Sequence, residues 1–341
     1  MKKIKLLLGI ALVLIGWGCS GTVSNKQQPT TPQQEWWASN GKVKVLSTIA
    51  MIDDLVKEIG GEHVDSIVLI RGELDPHSYE FVKGDDEKFL AAKVIFYNGL
   101  GLEHGPSLEC HLRKNTRAVS IGDTILRQHP DLILSIEGQT DPHIWMDVSL
   151  WAHALDTIVE KLSAEDPAHA EEFLERGKVL HAQMMEVHEK TFARLQGISE
   201  DKRYLVTSHD AFNYFTRAYL ATPAELLPAD AKEPLWKKRF RAPQGIAPDS
   251  DLGSMHIQDI IDYCAKYHVT VLFLESNVSP DSITAIVTSG RKKGLVLSVA
   301  EGVLYGDAMG GPGSTGDSYL KLIEHNAEVI TTNLEGDICS S

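Results

Sequence analysis

The sequence predicts an α/β protein of two lobes. Each lobe has a mostly parallel central sheet flanked by helices, and one long helix links them. Three observations predict it. Short apolar strands alternate with amphipathic helices through residues 43–162, the order of a parallel sheet with helical connections. The alternation restarts at Arg203. Between the halves, a helical run begins at Asp166-Pro167 and stops near Gly197. At 1.5 Å per residue its roughly thirty residues span about 45 Å, too long for a single crossover.

The elements follow in order. Lys2, Lys3 and Lys5 precede an apolar run at 6–15, too short to span a bilayer as a helix. Gly16-Trp17-Gly18-Cys19 follows, so residues 1–18 read as a secretory signal. Residues 19–41 are rich in Ser, Thr, Gln and Pro, with Trp36 and Trp37 near their end; they read as a flexible tether. The first lobe is expected over 42–165. Its strands are expected at 43–46, 66–70 and 94–97, and its helices at 49–59, around 87–92 and at 151–162. The linker helix is expected over 166–197, with proline at its first position after an acidic cap. Its His169, His181 and His188 read as a solvated or half-buried face. The second lobe is expected over 198–341, with strands at 203–207, 269–274 and 295–299 and a helix at 257–267. Residues 228–251 read as an irregular, solvated excursion carrying the basic patch Lys237-Lys238-Arg239.

The 341 residues carry a net charge of −14, and loss of residues 1–18 removes three lysines and takes it to −17. Such acidity excludes a nucleic-acid binder, which needs a basic face. Beyond Cys19 the cysteines are Cys110, Cys264 and Cys339. None forms a CxxC pair, which argues against a thiolate zinc site. A Cys264–Cys339 disulfide and free buried thiols are both open.

The chemistry is expected where strands end, the usual ligand position of open α/β sheets. His77 and His143 each follow an Asp-Pro pair, Asp75-Pro76 and Asp141-Pro142. Proline stiffens such a turn and presents the histidine preorganised. The aspartate two residues upstream is placed to orient an imidazole. His209 follows the strand at 203–207, and Asp307 follows Leu304-Tyr305-Gly306. One such histidine is ordinarily structural; this set points to a metal. Glu275 closes a buried strand and reads as a carboxylate contacting a ligand histidine. Gly99-Leu100-Gly101 has the look of a dinucleotide turn, but His104 stands where the third glycine belongs. Residues 306–316 hold five glycines; without a following Lys-Ser/Thr they read as a mobile loop carrying Asp307. His104, His111, His256, His268 and His325 show no partner pattern.

Specific motifs carry a family resemblance. They are Asp75-Pro76-His77-Ser78-Tyr79-Glu80, Tyr97-Asn98-Gly99-Leu100-Gly101-Leu102-Glu103, Asp141-Pro142-His143-Ile144-Trp145-Met146-Asp147 and Phe273-Leu274-Glu275. From about 43 to 334 the chain resembles the metal-binding solute-binding proteins of ABC transporters, of the TroA/ZnuA/PsaA type. The resemblance implies one metal held between two lobes by His77, His143, His209 and Asp307. The ion would be cargo, not a catalytic cofactor, captured outside the inner membrane and passed to an ABC permease. Manganese members usually carry glutamate at the third ligand position, where this chain has His209. Zinc members often carry a His-rich loop before the second, where 127–141 has only His129. Iron, zinc and manganese all stay open, and the resemblance favours iron or a broad specificity. The cysteine at the signal's end resembles a lipoprotein signal, implying a periplasmic or cell-surface monomer anchored through Cys19. The alternatives are a binding protein for an iron chelate or other organic ligand, and a zinc hydrolase; no HExxH motif supports the latter.

Overall fold

The computed structural model describes residues 36–37, 39–227, 234–247 and 254–336. The signal, Cys19, most of the tether and Cys339 lie outside them. The first sheet is built from β1 (Val43–Ser47), α1 (Ala50–Gly60), β2 (Val64–Val68), α2 (Asp85–Ala91), β3 (Val94–Tyr97), α3 (Pro106–Lys114), β4 (Ala118–Ser120) and α4 (Ile121–Gln128). Its four strands are parallel in the order β2-β1-β3-β4. Strand β1 is central because both its faces are apolar enough to be covered; Val45 and Leu46 are fully buried. Strand β2 starts two residues before the expected 66, and its tail still pairs. Leu69 and Ile70 donate their N–H groups to Ser47 O and Thr48 O. Trp36, expected within the tether, is buried and donates Nε1–H to Asp65 O at 3.1 Å. A buried indole needs such a partner, and this one seats the chain on the sheet before residue 42.

A short antiparallel pair follows, β5 (Ser135–Ile136) and β6 (Gln139–Thr140). The helix expected at 151–162 is two helices, α5 (Val148–Trp151) and α6 (Ala154–Glu165). Asp147 starts the first, its Oδ1 accepting from Ser149 N and Leu150 N. The long helix α7 (Ala170–Gln196) is entered through a 3₁₀ turn, Pro167–His169. Its 27 residues span about 40 Å. Asp166 contacts His169 Nδ1 at 2.7 Å and does not cap the turn's N–H groups. The helix buries Phe173, Leu180, Met184, Val187 and Leu195, packing on α1 and α6. His181 is exposed, and His188 is half-buried with its Nδ1 3.0 Å from Tyr219 OH.

The second half contains β7 (Leu205–Val206), β8 (Phe240–Arg241), α8 (Ser254–Tyr267), β9 (Val271–Glu275), α9 (Asp281–Lys292), β10 (Ser298–Leu304) and α10 (Tyr319–Glu335). β7 pairs parallel with β8, β9 pairs parallel with β10, and β7 lies beside β9. α10 returns to pack on both β10 and α7. Strand β10 lies later than the expected 295–299. Gly294, at φ +88°, ends α9, and Leu295 N–H bonds back to Gly290 O, so 295 belongs to the turn.

The basic patch of 237–239 departs from the expectation of a solvated loop. It is not a solvated loop face. Arg239 is 1% exposed, donates Nε–H to Glu225 at 2.5 Å and lies over the Tyr204 ring. Lys238 pairs with Glu225 at 2.6 Å and Lys237 with Asp210 at 3.2 Å. Arg239 and Lys237 are spent inside the fold, while Lys238 makes its pair at the surface with a side chain 41% exposed. Cys264 is free and buried, and burial pushes its thiol up to about 12.

Candidate metal centre

The four residues singled out from sequence come together. His77 follows β2, His143 follows the β5–β6 pair, His209 follows β7 and Asp307 follows β10. Each is at most 3% exposed. One donor atom from each lies within 4.8 Å of the others. His77 Nε2 and His143 Nε2 are 3.2 Å apart. Asp307 Oδ1 lies 3.4 Å from His143 Nε2; its Oδ2 lies 3.6 Å from His77 Nε2 and 3.0 Å from His209 Nε2. A tetrahedral ion with bonds of about 2.1 Å separates its ligand atoms by about 3.4 Å. The four donors therefore have the spacing of a cage for one small ion.

Two further observations describe the cage. Asp307 Oδ1 and His209 Nε2 are buried without a hydrogen-bond partner. They stand among the converging donors, with Asp307 Oδ2 3.0 Å from His209 Nε2 and Oδ1 3.4 Å from His143 Nε2. Burying such groups unpaired is costly. The electrostatics agree. Burial holds His77 well below the ordinary imidazole value. Burial also acts to lower His209, but the carboxylates of Asp307 and Glu275 overcome it and hold His209 well above that value. For Asp307, burial is outweighed by the imidazoles of His209 and His143, and its carboxyl sits below the usual carboxylate range.

A second ring of contacts fixes the imidazoles of His143 and His209 and the backbone of His77. Asp141 Oδ1 lies 2.7 Å from His143 Nδ1 and also accepts the His143 backbone N–H. Asp141 is itself held by Asn213 Nδ2 at 2.9 Å, and its backbone O by Tyr214 OH at 3.0 Å. The aspartate of the first Asp-Pro-His acts differently: Asp75 Oδ1 accepts the His77 backbone N–H, and Oδ2 accepts Ser78 Oγ–H. Glu275, the last residue of β9, accepts the His209 N–H at 2.9 Å on Oε1 and lies 2.6 Å from His209 Nδ1 on Oε2. A carboxylate facing Nδ1 keeps a proton on that nitrogen, so Nε2 is the atom that turns to a metal once its own proton has left.

Several residues were not marked by sequence. Trp145 donates Nε1–H to Gly306 O at 3.1 Å. Gly306 is required by close approach: a Cβ there would stand 2.4 Å from Glu275 Oε2 and 3.3 Å from His209 Cε1. His104 shows no partner pattern in sequence, yet its ring lies 5.5 Å from that of His77. Its position directly after the Asn98–Glu103 motif was the available signal. The glycine-rich loop after Asp307 is tied, not loose. Gly310 N–H bonds to Gly316 O, Gly313 N–H to Asp317 Oδ2, and both Gly310 and Gly316 approach the Tyr305 side chain.

The model of the zinc-uptake complex component A, periplasmic, matches residues 45–333. The metal-binding protein YtgA of Chlamydia trachomatis is 36% identical over 99% of this chain and 98% of its own. The manganese-binding lipoprotein MntA of Bacillus subtilis is 31% identical over 87% of this chain and 90% of its own. The crystal structure of Fe(III)-bound YtgA from Chlamydia trachomatis superposes with a TM-score of 0.80 at 35% identity, covering 88% of this chain and 100% of that one. The periplasmic zinc-binding protein TroA of Treponema pallidum gives 0.76 at 30% identity, covering 86% and 99%. By sequence and by fold, the chain belongs to the family of the periplasmic zinc-uptake complex component A.

Proposed function

We propose that this chain is an extracytoplasmic lipoprotein that captures one divalent transition-metal ion and delivers it to an ABC permease. The observation that carries the reading is the buried cage itself. Three imidazoles and one carboxylate converge from four separate strand ends, two of their donor atoms unpartnered. His77, His143, His209 and Asp307 are the ligands in this reading. Glu275 and Asp141 set the orientation of His209 and His143. The donor set suits iron, zinc and manganese alike, and the relatives are named for all three.

The reading is of a shuttle, not an enzyme. Four protein donors fill positions that a hydrolytic zinc would keep partly open for water. The enclosed cage also fits a bare ion better than an organic chelate. We assign Cys19 as the lipidated residue and the chain as a monomer. The first lobe runs to 165, the linker over 166–197 and the second lobe over 198–341, with Trp36 already part of the body. Among the described residues, no helix is long and apolar enough to cross a membrane.

The test is elemental analysis of residues 20–341. The protein is stripped, exposed to equal zinc, manganese and ferrous iron without oxygen, and desalted. One retained equivalent is expected, with zinc discounted for its intrinsic advantage. No retained metal would overturn the reading.

A further inference from the structure

The cage is closed, so an ion needs a route to it. A cavity of about 470 Å³ lies against one edge of the cage. Its walls include His77, His104, Asp123, Leu100, Pro142 and Ile246. His77 is the one proposed ligand among those walls, so it is the ligand an entering ion meets first. His104 is exposed to solvent, and its ring is 5.5 Å from that of His77.

His104 is also prepared as a ligand. Its Nδ1 lies 3.0 Å from Gly101 O. A carbonyl can only accept, so Nδ1 carries a proton and Nε2 is the atom left to meet a metal. His143 and His209 are prepared in the same way, with Nδ1 facing an oxygen. The loop under His104 is rigid. Glu103 is buried and accepts from Thr48 Oγ1, Asn98 N and Gly99 N. Asp123 Oδ1 accepts Leu100 N–H on the other side of the loop. Such a base holds the imidazole at the opening without committing it to the cage.

We infer that His104 is a transient metal ligand, taking the ion at the cavity mouth and handing it from its Nε2 to that of His77. The inference rests on the metal-shuttle reading. It has a kinetic signature, because a transient ligand lowers a barrier without changing either end state. Uptake and release must then change together, and the equilibrium must not.

The test compares wild type with His104→Ala, using zinc as the probe. Uptake is followed by stopped-flow tryptophan fluorescence, since the Trp145 ring lies 5.4 Å from that of His143. Release is followed with an excess of a chelating dye. The expected result is an unchanged Kd and stoichiometry, with uptake and release both slower by about tenfold. Unchanged rates would overturn the inference. So would a weaker Kd with unchanged uptake, which would make His104 an equilibrium ligand or a structural residue. A wild-type chain that retains no metal would overturn the shuttle reading and this inference with it.

Discussion

Replacing Glu275 with glutamine keeps the shape of the site and changes one chemical property. Glu275 presents two acceptors to His209, at 2.9 Å from its backbone N and 2.6 Å from Nδ1. Glutamine presents one acceptor and one donor. The backbone N–H cannot change its role, so the amide oxygen must face it. The amide NH₂ then faces Nδ1, which becomes an acceptor. The imidazole proton moves to Nε2, the atom that lies 3.0 Å from Asp307 within the cage. Metal binding must reverse this tautomer and leave two donors facing each other in a buried site, a cost of about 1–3 kcal/mol. That matches the 10–100-fold affinity loss typical for such orienting partners. The assay is competition against a chelator of known affinity, with ¹⁵N chemical shifts of the apo imidazoles reporting the tautomer. The expected result is an affinity loss of about 10–100-fold, with the His209 proton on Nε2. Native affinity in Glu275→Gln would refute the reasoning, as would a His209 that keeps its proton on Nδ1.

Other consequences follow from the same geometry. Gly306→Ala places a methyl 2.4 Å from Glu275 Oε2; it should cost about 1–3 kcal/mol of apo stability by overpacking and weaken metal binding, read by thermal melts and the same competition assay. His209→Ala removes one of the four converging donors and should leave no metal through desalting; retention at wild-type affinity would remove His209 from the site. Asp54 is a test away from the cage. Burial raises its carboxyl to about 6, against the opposing N–H of Tyr319. A carboxyl whose folded value is raised binds its proton more tightly when folded, so its contribution is full below about 3.9 and lost as pH rises through 6. Asp54→Asn, neutral throughout, should therefore stabilise the metal-free protein at pH 7.5, by about 1–2 kcal/mol after allowance for solvent screening. It should change little at pH 4, and equal melting temperatures at pH 7.5 would contradict this.

Much of the site was legible because its residues sit in rigid local sequence. Asp-Pro-His announces a stiff turn from three residues, and both copies reach the cage. The strand-end rule placed His209 and Asp307 on the same side as the first pair. What was not legible depends on contacts between distant segments. Asp75 and Asp141 occupy the same local position, yet only Asp141 reaches an imidazole, because Asn213 and Tyr214 hold it there. The patch of 237–239 reads as basic and solvated, and no local pattern reveals that Glu225 waits to pair with it. Gly306 looks like one glycine in a loose loop; its need is created by Glu275, thirty-one positions away. Strand edges shifted where a turn glycine such as Gly294 took residues that apolarity alone assigned to a strand.

The most direct test of the account is anomalous diffraction from crystals of the protein loaded with one equivalent of zinc. The account expects a single strong peak bonded to the Nε2 atoms of His77, His143 and His209 and to the Asp307 carboxylate, at about 2.0–2.2 Å. A peak elsewhere, or one bonded to fewer than three of these four residues, would contradict it.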